Sequence, residues 1–386
     1  MAIQPVTGKE SYWGDVHPTE NQVRLINQSP TMQADLQDYG AAVSSGDIQP
    51  IAVGPDKGTY FEDATQHRIV LAHNFAGLSD GNWIGALSHE LGHFESRSND
   101  RAFATRYGVN PRDPEAFDVE AMLGLRGEGE AIYNNWKVGQ EILRNTSTPE
   151  HPGMLINMAG EQPGGPTQQA LDSLHASDTQ SGLSDEQDKN RLIDRAASLN
   201  ATETPSNASS DYYDYYGGAN RRVVPPGLGS PTAAQLGDPA GDGKITSMNE
   251  TYASGMQGTQ HFGADGKLTS ADLRDANGNL QQHIEYARQT GGAYSATISD
   301  GQGVVTEKDD FDKDGASVAY TYGKDGTQTT QAYDSSGKPQ GDAVTSNSPP
   351  GATPAASALP ESTEAAQTYD GVQEPSAASN TDPDAG

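Results

Sequence analysis

Two histidines one helical turn apart, His89 and His93, flank Glu90 in the segment ALSHELGHF. On an α-helix, side chains at i and i+4 share a face, so both imidazoles can aim a ring nitrogen at one ion while the glutamate between them points aside. That arrangement, H-E-x-x-H, provides two metal ligands and one general base for hydrolysis of an amide. A catalytic zinc centre takes three protein ligands and keeps a fourth position for water, so a third donor has to come from another segment.

The elements that must position these groups are readable on either side. Ser79 or Asp80 caps a helix in which Trp83, Leu87, Leu91 and Phe94 recur at helical spacing and form the buried stripe, which leaves the histidines on another face, looking into a cleft. Ahead of it, His67-Arg68-Ile69-Val70-Leu71-Ala72-His73 alternates as a strand, with His67 and His73 as ordinary polar ends. Behind it, LRGEGEAIYNNWKVGQEIL predicts a second helix that opens at Glu128, 128 − 93 = 35 residues after His93, with Ile132, Trp136 and Leu143 as its apolar stripe. A carboxylate at a helix start is well placed to be held as an anion. Asp100, Asp113 and Asp118 are further acidic donors within reach in sequence.

Together the two helices resemble the gluzincin class of zinc metallopeptidases, in which a Glu on the following helix completes the site. Glu128-Gly129-Glu130-Ala131 is similar to the E-G-x-A element of its aminopeptidase-like members, which implies Zn²⁺ held by His89, His93 and Glu128, with Glu90 as catalytic base. A second register is present: Glu130-Ala131-Ile132-Tyr133-Asn134 is similar to the E-A-I-x-D element of thermolysin-like enzymes, with Asn134 where the His-orienting Asp would stand. The metzincin continuation is absent, because Ser96 and Asn99 occupy the positions of its glycine and third histidine. Over roughly residues 55 to 150 the chain most resembles metallopeptidase domains of bacterial polymorphic toxins and secretion-system effectors. That resemblance implies a zincin-like fold, a strand before the active-site helix that can pair with an extended substrate, and a protein or peptide as substrate. It also implies release through a dedicated bacterial secretion system, with secretion machinery, a chaperone or an immunity protein as partners. The motif itself specifies only an amide, in a protein or in a peptidoglycan cross-link. Tyr133 is a candidate oxyanion stabiliser by closeness in sequence alone.

Composition bounds the remainder. With Lys+Arg 24 against Asp+Glu 53 the net charge is −29, which disfavours nucleic acid and anionic membrane surfaces. The absence of cysteine rules out a disulfide framework, a thiol nucleophile and Cys-based zinc binding. The sequence has no signal-peptide pattern and no stretch of about 18 apolar residues, so no membrane insertion is expected. The fold class expected is α+β, in four parts: residues 1–160 a zincin-like domain, 161–240 a polar linker with short helices, 241–345 a Gly-punctuated β-repeat, and 346–386 a disordered acidic tail. In the linker, TQQALDSLHAS and SDEQDKNRLIDRAASL are modest helices behind Thr or Ser caps, and DYYDYYGG is a solvated turn. The repeat, with glycines every 11 to 14 positions, mostly behind Asp, Asn or Gln, predicts a meander of six or seven strands joined by two-residue Asp-Gly or Asn-Gly turns. Asp310, Asp312 and Asp314 before Gly315 have the order of a calcium loop, but Thr321 stands where its bidentate Glu belongs, so a turn is expected there. A different class of function is compatible with this organisation: a non-catalytic binding or delivery protein with a vestigial zincin domain. Hydrolysis by residues 1–160 alone would separate the two.

Overall fold

The computed structural model describes residues 3–55, 58–62, 67–158, 160–205 and 208–347, and the chain is of mixed α+β type, as expected. Helices α1 (Glu20–Ile26) and α2 (Pro30–Ser45) begin on Thr19 and Ser29, whose hydroxyls accept from the backbone N–H groups of Gln22 and Met32. Strands β1 (Ala52–Val53), β2 (Tyr60–Glu62) and β3 (Arg68–Leu71) follow, in the order β1-β3-β2. Because β3 is parallel to β1 on one side and antiparallel to β2 on the other, both of its edges are taken. The expectation that this strand pairs with a substrate is therefore corrected: neither edge of β3 is open to one.

Ser79 caps α3 (Asp80–Tyr107), accepting from the Asn82 N–H. Its expected stripe, Trp83, Leu87, Leu91 and Phe94, is buried in one apolar cluster with Leu25, Leu36, Tyr39 and Ile69. The second site helix, α4 (Ala116–Thr146), differs from expectation, since Glu128 lies 128 − 116 = 12 residues inside it and not at its start. The glycines around Glu128 read as a break because each costs about 1 kcal/mol relative to alanine in a helix interior. Here they are contact points: a Cβ on Gly129 would stand 2.5 Å from the carbonyl oxygen of Ile193 on the neighbouring helix.

The segment expected to be a linker forms α5 (Pro166–Gln180), α6 (Asp185–Asn200) and α7 (Tyr212–Gly217). Ser184 and Gln187 build a capping box at the start of α6, whereas α5 starts from Gly165 and Pro166 with no side-chain cap. Leu171 of α5 and Leu192 and Ala196 of α6 pack with Ile132 and Trp136 of α4. The tyrosine run, expected in solvent, is α7 itself, and Tyr212, Tyr213 and Tyr216 are all buried. A polar local composition conceals this, because the partners of these hydroxyls lie far along the chain.

The remaining strands, β4 (Pro231–Gly237), β5 (Ser247–Tyr252), β6 (Gln257–Phe262), β7 (Leu268–Arg274), β8 (Leu280–Arg288), β9 (Tyr294–Asp300), β10 (Val305–Phe311), β11 (Ser317–Tyr322), β12 (Thr327–Tyr333) and β13 (Pro339–Asn347), form one ten-stranded antiparallel meander in chain order. It is larger than the six or seven strands expected and begins ten residues earlier, at 241 − 10 = 231. Its turns are also of another kind. The Gly266 N–H donates to the Gly263 carbonyl and the Gly263 N–H to the Lys267 carbonyl, a three-residue loop closed by a left-handed glycine at φ 82°. In the loop after β10, Asp312 Oδ1 accepts from the N–H groups of Asp314 and Ala316, so that aspartate serves the turn. One face of the sheet covers the helices: Met248, Phe262, Ile284 and Ile298 share an apolar cluster with Val119, Met122, Leu125 and Tyr213. From residue 348 the acidic tail lies outside the described residues, and Ser346 and Asn347 end β13. No described helix is long and apolar enough to cross a membrane.

Candidate metal centre

Along α3, His89 and His93 turn the same face toward α4, and Glu128 meets them there. The two Nε2 atoms are 3.1 Å apart, and Glu128 Oε2 lies 3.4 Å from that of His89 and 3.9 Å from that of His93. Ligand atoms of a tetrahedral ion with bonds of about 2.0–2.1 Å stand about 3.3 Å from one another, so this donor set fits one such ion almost as it stands. Among the described residues, these three form the convergent group of metal-ligating side chains, and all three are buried. The group can bind a metal ion.

A ligand carboxylate must be ionised. Burial by itself pushes Glu128 up, but the His89 hydrogen bond, the two imidazoles and the Tyr216 hydroxyl together hold it below the usual carboxylate range. Tyr216 donates to Glu128 Oε1 at 2.7 Å, which leaves Oε2 toward the histidines. Glu90, next to His89 on α3 and about 100° around the helix, is also buried, at 1% exposure.

The alternative donors fall elsewhere. Glu130 is turned away from Glu128 and lies 3.7 Å from Arg126 in an i, i+4 pair. Asn134 donates to the Ser88 carbonyl at 2.9 Å and to Asp35 at 3.0 Å, so it ties α4 to α3 and α2 and orients no histidine. Tyr133 lines a polar cavity of about 240 Å³ together with Asp35, Glu95, Glu130, Lys137 and Lys189, a set that contains none of the three converging side chains. The oxyanion role suggested for Tyr133 has no geometric support. Asp100 accepts from Ser96 at 3.0 Å, Asp113 from Tyr286 at 2.6 Å, and Asp118 pairs with Arg222 at 2.8 Å. His67, at φ 45°, and His73 are not in the group.

Sequence reasoning missed two features. One is Tyr216. The other is the buried network in which the Tyr213 hydroxyl lies between Asp118, at 2.7 Å, and Glu250, within hydrogen-bond reach of both, while Arg222 bridges the same two carboxylates. The available signal was the three-residue spacing of Tyr213 and Tyr216, which places both on one helix face. Compared with known proteins, the chain matches no family model and no curated sequence at a significant level.

Proposed function

We propose that the protein is a zinc-dependent metallopeptidase of gluzincin type, with His89, His93 and Glu128 as ligands and Glu90 as general base. The observation that carries this reading is the convergence of His89, His93 and Glu128 donor atoms beside Glu90, a buried glutamate on the helix of the two histidines. A Zn²⁺ held there supplies Lewis acidity toward a scissile carbonyl and lowers the pKa of a water. Glu90 then does the proton work, taking a proton from the attacking water and delivering it to the leaving amine. The likeness of the two helices to toxin and effector metallopeptidase domains supports a zincin-like fold, a protein or peptide substrate and release by a bacterial secretion system.

Metal content of the purified protein by mass spectrometry tests the ligand set. One zinc per chain is expected in the wild type and in Glu130→Ala, and none in His93→Ala or Glu128→Ala. Glu90→Gln is expected to keep the zinc and lose hydrolysis of a generic protein substrate; an active Glu90→Gln variant removes Glu90 from its role. The burial of all four side chains favours a second reading, a metal kept for stability in a binding or delivery protein. Equal activity, at background, of wild type and Glu90→Gln with zinc bound in both would establish it.

A further inference from the structure

We propose that Tyr216 is a positioning residue of the metal centre: its hydroxyl fixes Glu128 with one carboxylate oxygen toward the histidines, and tight metal binding requires it. This rests on the ligand set proposed above and adds a component from 216 − 128 = 88 residues further along the chain.

Three observations carry it. First, the hydrogen bond divides the carboxylate, since Oε1 accepts from Tyr216 at 2.7 Å while Oε2 is the atom near both Nε2 atoms. A hydrogen bond from outside the ligand set restricts the rotamers of a metal ligand, and loss of such a partner typically costs about 10–100-fold in metal affinity. Second, the ring has a seat built for it on α4. A Cβ on Gly124, one turn before Glu128, would lie 2.1 Å from the Tyr216 ring, so any other residue there would push the ring out of place. Third, α7 is anchored. Tyr213, three residues earlier, is fully buried and bonded to Asp118 of α4 and Glu250 of β5, and Asp211 caps the helix by accepting from the Asp214 N–H. A helix held in the core in this way is a fixed buttress and not a detachable lid.

The test uses the full chain. Zn²⁺ affinity is measured by competition with a chromophoric chelator, the visible spectrum is recorded with Co²⁺ in place of Zn²⁺, and the metal-free melting temperature is taken for each variant. Tyr216→Phe, which keeps the ring over Gly124, is expected to weaken Zn²⁺ binding about 10–100-fold and to alter the Co²⁺ spectrum. Tyr286→Phe, a buried tyrosine bonded to Asp113 and not to Glu128, is expected to lower the melting temperature and leave affinity and spectrum unchanged. Should Tyr216→Phe fail to fold, Gly124→Ala, which displaces the ring and retains the hydroxyl, is expected to weaken binding in the same sense. Wild-type affinity and spectrum in Tyr216→Phe, with binding lost in Glu128→Ala, would overturn this role alone. A wild type that binds neither ion would remove the metal reading and this role with it.

Discussion

Gly92 of α3 lies directly against Ala131 of α4: a Cβ on Gly92 would stand 2.7 Å from the Ala131 Cα and 2.9 Å from the Asn134 Cβ. The variable position inside the H-E-x-x-H motif is therefore what lets the two ligand helices touch. Gly92→Ala is expected to force them apart, destabilising the fold by about 1–3 kcal/mol, the usual cost of overpacking. Because His93 is the next residue, zinc content should fall as well. Thermal melts and metal analysis on the same preparations check both effects.

Arg222 joins the sheet to the helices through Asp118 and Glu250, carboxylates that are each 1–2% exposed. Removing one partner of a buried ion pair typically costs about 3–5 kcal/mol, since the other is left charged without compensation. Arg222→Ala should show a loss of that order in chemical denaturation. The double variant Asp118→Asn with Glu250→Gln in that background should recover part of it.

Asp35 and Glu95, in the polar cavity beside the α3–α4 crossing, are each raised to about 7, chiefly by burial and, for Glu95, also by the charge of Asp35. Their values in the unfolded chain are near 4. The folded protein then holds more protons than the unfolded chain between about pH 4 and 7, so the stability these groups contribute is full below pH 4 and lost as pH rises through 7. Melting temperatures at pH 5 and pH 8, in chelator, should differ less for Asp35→Asn/Glu95→Gln than for wild type. An unchanged difference would show that these carboxyls do not carry the effect.

A fragment of residues 1–160 would expose the side of α4 on which Val119, Met122 and Leu125 meet the sheet, and the side on which Ile132 and Trp136 meet α5 and α6. It is expected to aggregate or remain molten, and to bind no zinc. Circular dichroism and light scattering on the fragment test this, and a cooperative, metal-binding fragment would refute it.

What could be read from the sequence was what depends on local spacing. The α3 stripe, the histidine pair and the 35-residue step from His93 to Glu128 are visible because helical periodicity is a short-range property, and the glycines of the β-repeat mark its loops for the same reason. Glu128 was misplaced to a helix start because Gly124, Gly127 and Gly129 weaken the helical signal, and only neighbouring elements explain them. The loops were misread because their glycine closes a turn that begins three residues earlier, on Asp275 or Asp312 for example, and not a two-residue Asn-Gly or Asp-Gly turn. The buried tyrosines offered only the spacing of Tyr213 and Tyr216, which marks a shared helix face and not what covers it. Tyr213 bonds to Asp118 from 95 residues away, and no composition rule sees that distance.

The covering of α4 by later segments has a consequence for the timing of synthesis. Phe262 follows Val119 by 262 − 119 = 143 residues, which a ribosome adding about 5–20 residues per second makes roughly 7–30 s later. Throughout that interval the nascent chain carries α4 with one apolar side bare, and Tyr216 has yet to reach Glu128 for much of it. A ribosome stalled before α7 would display a sticky chain on which His89, His93 and Glu128 are all made and Tyr216 is not.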